Sequence, residues 1–450
     1  VHPKLLIPLA AGLMACRPDD PEPQDPSGVL RDCEAAPGRI CPWAGSGDNG
    51  WNGEGKDRLD AMFSFPMSVT FSPYGPPMVA DWNNHKIRML EDDDTFTTVM
   101  GTDFLGDGDP GRLDMTSFGA PGTEVNLNHP TMQQYLSDGT MLSASWHTHK
   151  LRTLTLDDGL VHVVLGSAPG FAPAEPTDDR GAPVADDGCA LNQPKSIEID
   201  SEDNVYINDM RNERIRFWDR AAGTLRTLAG NGGKANAVFY PDPAHPDRVD
   251  AEAKCLDANG DLVAEGPALS VCLSLPKNSN PEPGGALALD EDAGLLYVAD
   301  TEAHVIRVLD LDSGDLSILA GGYQEAGFAD GDLASARFDF PADLELDRAT
   351  RTLFVADANN HRIRAIDLAS GKVSTFAGTG EPTCSDGSVV QVGDGGFTIL
   401  AVLCDEQKRG GDGGPATKAT LYRPFGVDLD LDGNLVISDT YNQRLRVVYR

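Results

Sequence analysis

One eight-residue phrase, closing on an apolar residue followed by arginine, recurs six times through these 450 residues. Its copies are 81–88 (DWNNHKIR), 145–152 (SWHTHKLR), 209–216 (DMRNERIR), 300–307 (DTEAHVIR), 357–364 (DANNHRIR) and 439–446 (DTYNQRLR). A spaced repeat of this kind means one supersecondary unit copied around an array, because each unit buries its apolar face only against its neighbours.

Each phrase sits in a longer pattern. Some fifteen residues upstream there is a proline in five of the copies: Pro66, Pro130, Pro194, Pro341 and Pro424. An alternating apolar run follows the proline, as in Asp343-Leu-Glu-Leu-Asp347, then a turn and a second β-rich run such as Leu435-Val-Ile-Ser438. Alternation of period two, bounded by Asp, Asn and Gly, predicts strand, tight turn, strand. The Ile/Leu-Arg end of the phrase opens a third strand, and runs such as Val373-Ser-Thr-Phe-Ala-Gly378 supply a fourth. Four short antiparallel strands per repeat make a propeller blade.

The chain ends at Arg450, just after the third strand of the sixth copy, while Arg39-Ile-Cys-Pro-Trp-Ala-Gly45 has the ending of a fourth strand. The expectation is an all-β, six-bladed β-propeller with four-stranded blades, its N-terminal strand completing the last blade and removing an exposed edge. The phrase, set after Val-Ala-Asp strands and combined with Ala-Gly endings and the run Gly411-Asp-Gly-Gly-Pro-Ala416, resembles NHL-repeat propellers over residues 39–450. Copy 2 departs most, with Ser145 for Asp and Thr148 for Asn; copy 4 has Ala303 at the Asn position. The resemblance implies a fold and a binding surface. It does not fix a chemistry, since its members range from partner-binding modules to enzymes.

Residues 1–16 read as a lipoprotein-type signal segment: an apolar stretch too short to span a bilayer, ending Leu13-Met-Ala-Cys16, with Cys16 as the acylated residue. Residues 17–38, rich in Pro and Asp, read as a flexible tether. The expected location is therefore extracytoplasmic, lipid-anchored to a bacterial envelope membrane. In that oxidising setting Cys255 and Cys272 bracket one insertion and Cys384 and Cys404 another, and each pair is expected to staple a loop. Cys33, Cys41 and Cys189 leave one thiol over, and their pairing stays open. A formal charge of −34, from 70 acids against 36 bases, repels phosphate backbones and argues against nucleic acid as a partner.

In a propeller the loops joining fourth to first strands emerge on the same end as those joining second to third strands. Here the former are long, and loops of that length are usually functional or disordered. On that face Trp82 and Trp146 directly follow the first position of the phrase in adjacent copies, and Tyr135 and His147 complete a candidate ligand-binding set. Neighbouring aromatics there offer a stacking surface for glycan or peptide; packing beneath their own loops is the plainer reading. His85 shares a phrase position with His149, and His147 lies two residues from it, giving a candidate metal set. Asp257, Asn259 and Asp261 place oxygen ligands at alternate positions, which makes calcium the one cofactor the sequence leaves open, although Leu262 stands where an EF-hand loop needs glycine.

The pairs Asp81/Arg88, Asp209/Arg216, Asp300/Arg307, Asp357/Arg364 and Asp439/Arg446 recur at one spacing. One catalytic centre does not need five copies, so they read as bracing inside each blade, with Arg152 in copy 2 lacking its partner. The functional expectation is a membrane-tethered, non-catalytic platform for protein, peptide or glycan. The alternative is a metal-dependent hydrolase or lyase of the lactonase-like or amidating-lyase-like kind, which the resemblance allows. The inner-strand starts, acidic only at Asp343, do not supply the ligands that such an enzyme sets around its channel.

Overall fold

A computed structural model describes residues 30–104, 113–166, 182–183, 191–232, 263–276, 282–380, 389–390, 401–402 and 410–450. The repeats form six antiparallel sheets. Blade 1, for example, comprises Pro66–Ser72, Gly75–Asp81, Lys86–Leu90 and Thr95–Met100 in that order from the axis outward. Blade 6 consists of Gly426–Leu429, Leu435–Asp439, Arg444–Val448 and, as its outermost strand, Ile40–Ala44. The closing strand pairs antiparallel to the third strand, with Ile40 opposite Val448 and Ala44 opposite Leu445. Trp43 and Ala44 then share one buried cluster with Val436 and Leu445 of blade 6 and Phe63, Val69 and Phe96 of blade 1, so the closure is glued on both flanks. A disulfide between Cys33 and Cys41 ties the preceding turn to this strand.

Five blades carry a fifth, two-residue strand outside the fourth, such as Lys56–Asp57 against Thr95–Met100 and Gly331–Asp332 against Lys372–Ala377. In blade 6 a single bridge between Arg39 and Pro415 takes that place. The chain thus reaches each of these blades along its outer edge before crossing to the axis. Outer edges are covered in the process.

The phrase is the joint of this architecture. After each second strand, three residues form a 3-10 turn and the fifth phrase residue lies in the left-handed region, with φ between 53° and 59° at His85, His149, Glu213, His304, His361 and Gln443. Each accepts a hydrogen bond from a backbone N–H of the following blade: His129, Gln193, Leu275, Phe340, Arg423 and Phe65 respectively, at 2.7–3.2 Å. In five blades the residue just before that donor gives its own N–H to the blade's phrase Asp, as Ser64 does to Asp81 at 2.8 Å and Tyr422 to Asp439 at 2.8 Å. Two successive amides therefore clamp one blade to itself and to its predecessor. The Ala-Gly endings follow from the same joint: a Cβ on Gly101, Gly230 or Gly378 would come within 2.1–2.4 Å of the carbonyl of His85, Glu213 or His361.

The Asp/Arg pairs lie inside the blades, fully buried or nearly so. Their separations are 3.6 Å for Asp81–Arg88, 3.0 Å for Asp209–Arg216, 2.7 Å for Asp300–Arg307, 2.8 Å for Asp357–Arg364 and 3.4 Å for Asp439–Arg446. Arg152 is not left alone. Asp114, from the segment leading into blade 2, reaches its Nε at 3.2 Å and Thr148 accepts from it at 2.7 Å. Burial of a guanidinium demands a carboxylate, and the incoming segment supplies what Ser145 cannot.

Cys272 is disulfide-bonded. Cys16, Cys189, Cys255, Cys384 and Cys404 lie outside the described residues, as do Asp257, Asn259 and Asp261. No helix among the described residues is long and apolar enough to cross a membrane.

Candidate functional site

In the five repeats with the proline, the residue before it is where the chain turns inward over the axis. All five are non-glycine residues with φ of 45–59°: Phe65, His129, Gln193, Phe340 and Arg423. Left-handed backbone at bulky residues is uncommon and persists only where the surroundings impose it; here the two amide clamps do so. These side chains meet the 3-10 turn residues at the mouth of the central channel, on the loop-rich end.

On one side of the mouth the lining is aromatic. Phe65 stands edge-on to Tyr441 (centroids 5.0 Å) and to Trp82 (6.3 Å), and Phe425 stacks on Tyr441 at 6.2 Å. Together with Met67, Thr440, Pro283 and Glu282 they enclose a depression of about 250 Å³ continuous with solvent. Since Glu282 and Pro283 belong to the approach to blade 4 and the others to blades 6 and 1, the depression lies across the axis. Arg423 holds its wall. Its guanidinium lies 5.0 Å from the Tyr441 ring and 5.3 Å from Phe425, and it grips the Glu282 carboxylate through both terminal nitrogens at 2.6 and 2.5 Å. The Tyr441 hydroxyl donates to the same carboxylate at 2.9 Å. Burial pushes that phenol's pKa up, so it remains a donor.

The sequence-predicted residues divide. Trp82 is half-buried at this mouth, and Trp146 is 6.1 Å from it, but Trp146 is 0 % exposed and belongs to the core between blades 2, 3 and 4. It backs Trp82 and cannot itself meet a ligand. Tyr135 lies at the far end of its inner strand, buried, donating to the Pro76 carbonyl at 2.8 Å. That is the opposite end of the ring, so Tyr135 is not part of this surface. His147 stacks on Trp146 at 4.1 Å and shares a hydrogen bond with His129, Nδ1 to Nδ1, at 2.7 Å. His147 and His149 do not converge: residues 146–148 form a 3-10 turn rather than a strand, so positions two apart diverge. The Nδ1 atoms of His85 and His149 are acceptors for backbone amides, as above. Burial lowers the pKa of His85 and His147 to about 4 each, which keeps both rings neutral at pH 7. Among the described residues no group of three His, Cys, Asp or Glu side chains is arranged to hold a metal ion.

Behind the mouth the channel is crossed by a buried ion pair. Lys195 of blade 3 reaches Asp343 of blade 5 at 3.1 Å and the Ala342 carbonyl at 2.8 Å, while the amide of Val427 in blade 6 donates to the other Asp343 oxygen at 3.1 Å. Further in lie Glu198, Glu345 and Asp428. Burial raises Glu198 to about 8, and burial with neighbouring carboxylates raises Glu345 well above the usual range. Burial chiefly does the same to Asp428. Inspection of only the first residues of each inner strand missed these acids. The signal was present: Glu198, Glu345 and Asp428 each stand four residues after the proline of their repeat, at Pro194, Pro341 and Pro424.

No family model matches the chain. NHL repeat-containing protein 2 of Gallus gallus is 26% identical over 311 residues, which is 58% of this chain and 39% of that protein. The Homo sapiens protein of the same name is 25% identical over 345 residues, 72% of this chain and 42% of that protein. These relatives share the repeat that forms the six blades described above. The chain is a six-bladed propeller consistent with the NHL-repeat kind. It spans about two fifths of the length of these curated relatives. Among solved structures, the propeller matches one titled an auxiliary nutrient binding protein from Bacteroides thetaiotaomicron, with a TM-score of 0.52 at 14% identity, covering 91% of this chain and 75% of that one. At that identity the likeness is one of fold.

Proposed function

We propose that this propeller is an extracytoplasmic binding module that takes a protein, peptide or glycan at the aromatic mouth of its loop-rich face. The observation that carries the reading is the convergence of Phe65, Trp82, Phe425 and Tyr441 on one solvent-open depression over the axis. Aromatic rings give large contact area with little conformational entropy to lose, the usual make-up of a recognition centre. A fold neighbour is named an auxiliary nutrient binding protein, which agrees with a binding role. The charge of −34 supports a partner other than nucleic acid. In this reading Cys16 carries the anchor that holds the ring at an envelope membrane; radiolabelled palmitate incorporated by wild type and lost in Cys16→Ser is the expected outcome.

The test is capture of surface components by the purified ring, followed by Trp82→Ala and Tyr441→Ala. Loss of a buried aromatic anchor costs about 2 kcal/mol or more of binding, a drop of roughly thirtyfold. Unchanged capture by both variants, with melting temperatures near wild type, removes the mouth from consideration.

A further inference from the structure

We propose that the mouth recognises a carboxylate attached to a small apolar body, and that Glu282 occupies the carboxylate position in the unliganded protein. The inference deepens the reading above and rests on it. Three features of the Arg423–Glu282 contact carry it.

Arg423 is held in place without Glu282. Its backbone amide is fixed by His361 at 3.1 Å, its φ of 45° aims it over the axis, and the Phe425 and Tyr441 rings flank its guanidinium. The fork is therefore preorganised, and a planar guanidinium matches a carboxylate bidentately. A second, uncharged donor, the Tyr441 hydroxyl, points at the same oxygen. The donor set is not saturated either: among the described residues nothing accepts a hydrogen bond from the buried Nε of Arg423.

Glu282 is held less firmly. Its side chain is 40 % exposed against 19 % for Arg423, and it comes from the approach to a blade that is not adjacent to blade 6, reaching over the opening. A partly exposed ion pair contributes little net stability, so a competing carboxylate need not overcome much. Beside the fork lies the apolar depression between Phe65, Trp82 and Phe425. A ligand whose carboxylate replaces that of Glu282 would place a short branched or cyclic apolar group there. The same chemistry arrives either as a free organic acid or as the C-terminus of a peptide ending in an apolar residue.

Titration calorimetry with N-acetyl-leucine, N-acetyl-leucine amide and a decapeptide ending in leucine separates these possibilities. Glu282→Ala, an exposed position, is expected to bind N-acetyl-leucine at least tenfold more tightly than wild type, because its internal competitor is gone. On that variant the amide should bind at least tenfold more weakly than the acid, and Arg423→Gln should abolish the difference between them. If acid and amide bind Glu282→Ala equally, the carboxylate inference falls while the aromatic mouth stands. If no probe binds wild type or Glu282→Ala, the carboxylate inference falls, and the aromatic mouth stands or falls by the capture test above. Tighter binding of the decapeptide than of N-acetyl-leucine assigns the site to protein tails; weaker binding assigns it to free acids.

Discussion

Single buried charges set the sharpest constraints on this molecule. Arg152 keeps its charge in the interior because Asp114 replaces the carboxylate that its own repeat lacks. Asp114→Ala would take away a carboxylate that the buried guanidinium pairs with, with an expected loss of about 3–5 kcal/mol in urea unfolding, the cost of breaking a buried ion pair from one side. Ser145→Ala, at the position where the other repeats hold Asp, should cost far less. Glu198 offers a test of opposite sign. Its pKa rises from 4.5 in the unburied group to about 8, with burial as the main cause and a partial offset from the Gln134 amide. A carboxyl raised in the folded state stabilises the fold fully below pH 4.5 and loses that contribution as pH climbs through 8. Glu198→Gln should therefore match wild type in melting temperature near pH 4.5 and exceed it at pH 9. Identical profiles at both ends would mean that Glu198 titrates normally.

At the scale of the element, the joint between blades explains why one phrase position holds His four times, Glu once and Gln once: all three can accept a hydrogen bond while the backbone turns left-handed. His361→Ala should cost about 1–3 kcal/mol, the penalty for leaving the Arg423 amide without its acceptor, whereas His361→Gln should recover most of it, because Gln443 does the same work in blade 6. Equal losses in both variants would show that the ring of hydrogen bonds matters less than local packing. The repeat made strands, blade number and Asp/Arg bracing readable from sequence, since each rests on period-two patterning or constant spacing. The fifth edge strands were not readable, because two residues carry no periodicity. Nor was the distance of Tyr135 from the mouth: an inner strand starts at one end of the ring and finishes at the other, and six residues suffice for the crossing. The histidines invited a metal reading because a shared position resembles a ligand set; the meeting of His129 with His85 and His147, from outside the phrase, had no such signal. Glu282 stands in an insertion that no repeat predicts, and its meeting with Arg423, 141 residues away, had no local signal.

For the whole molecule, closure is the quantity to perturb. Trp43 joins the last blade to the first, with Phe71 at 5.3 Å and Phe96 at 6.5 Å in edge contact. Trp43→Ala should cost about 3–5 kcal/mol. Removing residues through Ala44 should do more than destabilise. It leaves the third strand of blade 6 as a bare edge, and size-exclusion chromatography should show concentration-dependent dimers that wild type lacks. A monomeric truncated ring would mean that the edge is protected by other means.

Pairing Ile40–Ala44 with Arg444–Val448 also has a meaning for biogenesis. The strand made first must wait, unpaired, until the roughly 400 residues between it and its partner have been synthesised, a delay of roughly twenty to eighty seconds at ordinary ribosomal speeds of about 5–20 residues per second. Through that interval an apolar, β-prone ribbon is available to any wrong neighbour. A cell making this protein therefore has reason to shield this strand while the intervening blades accumulate, and the last contact to form is the one that makes the assembly a circle.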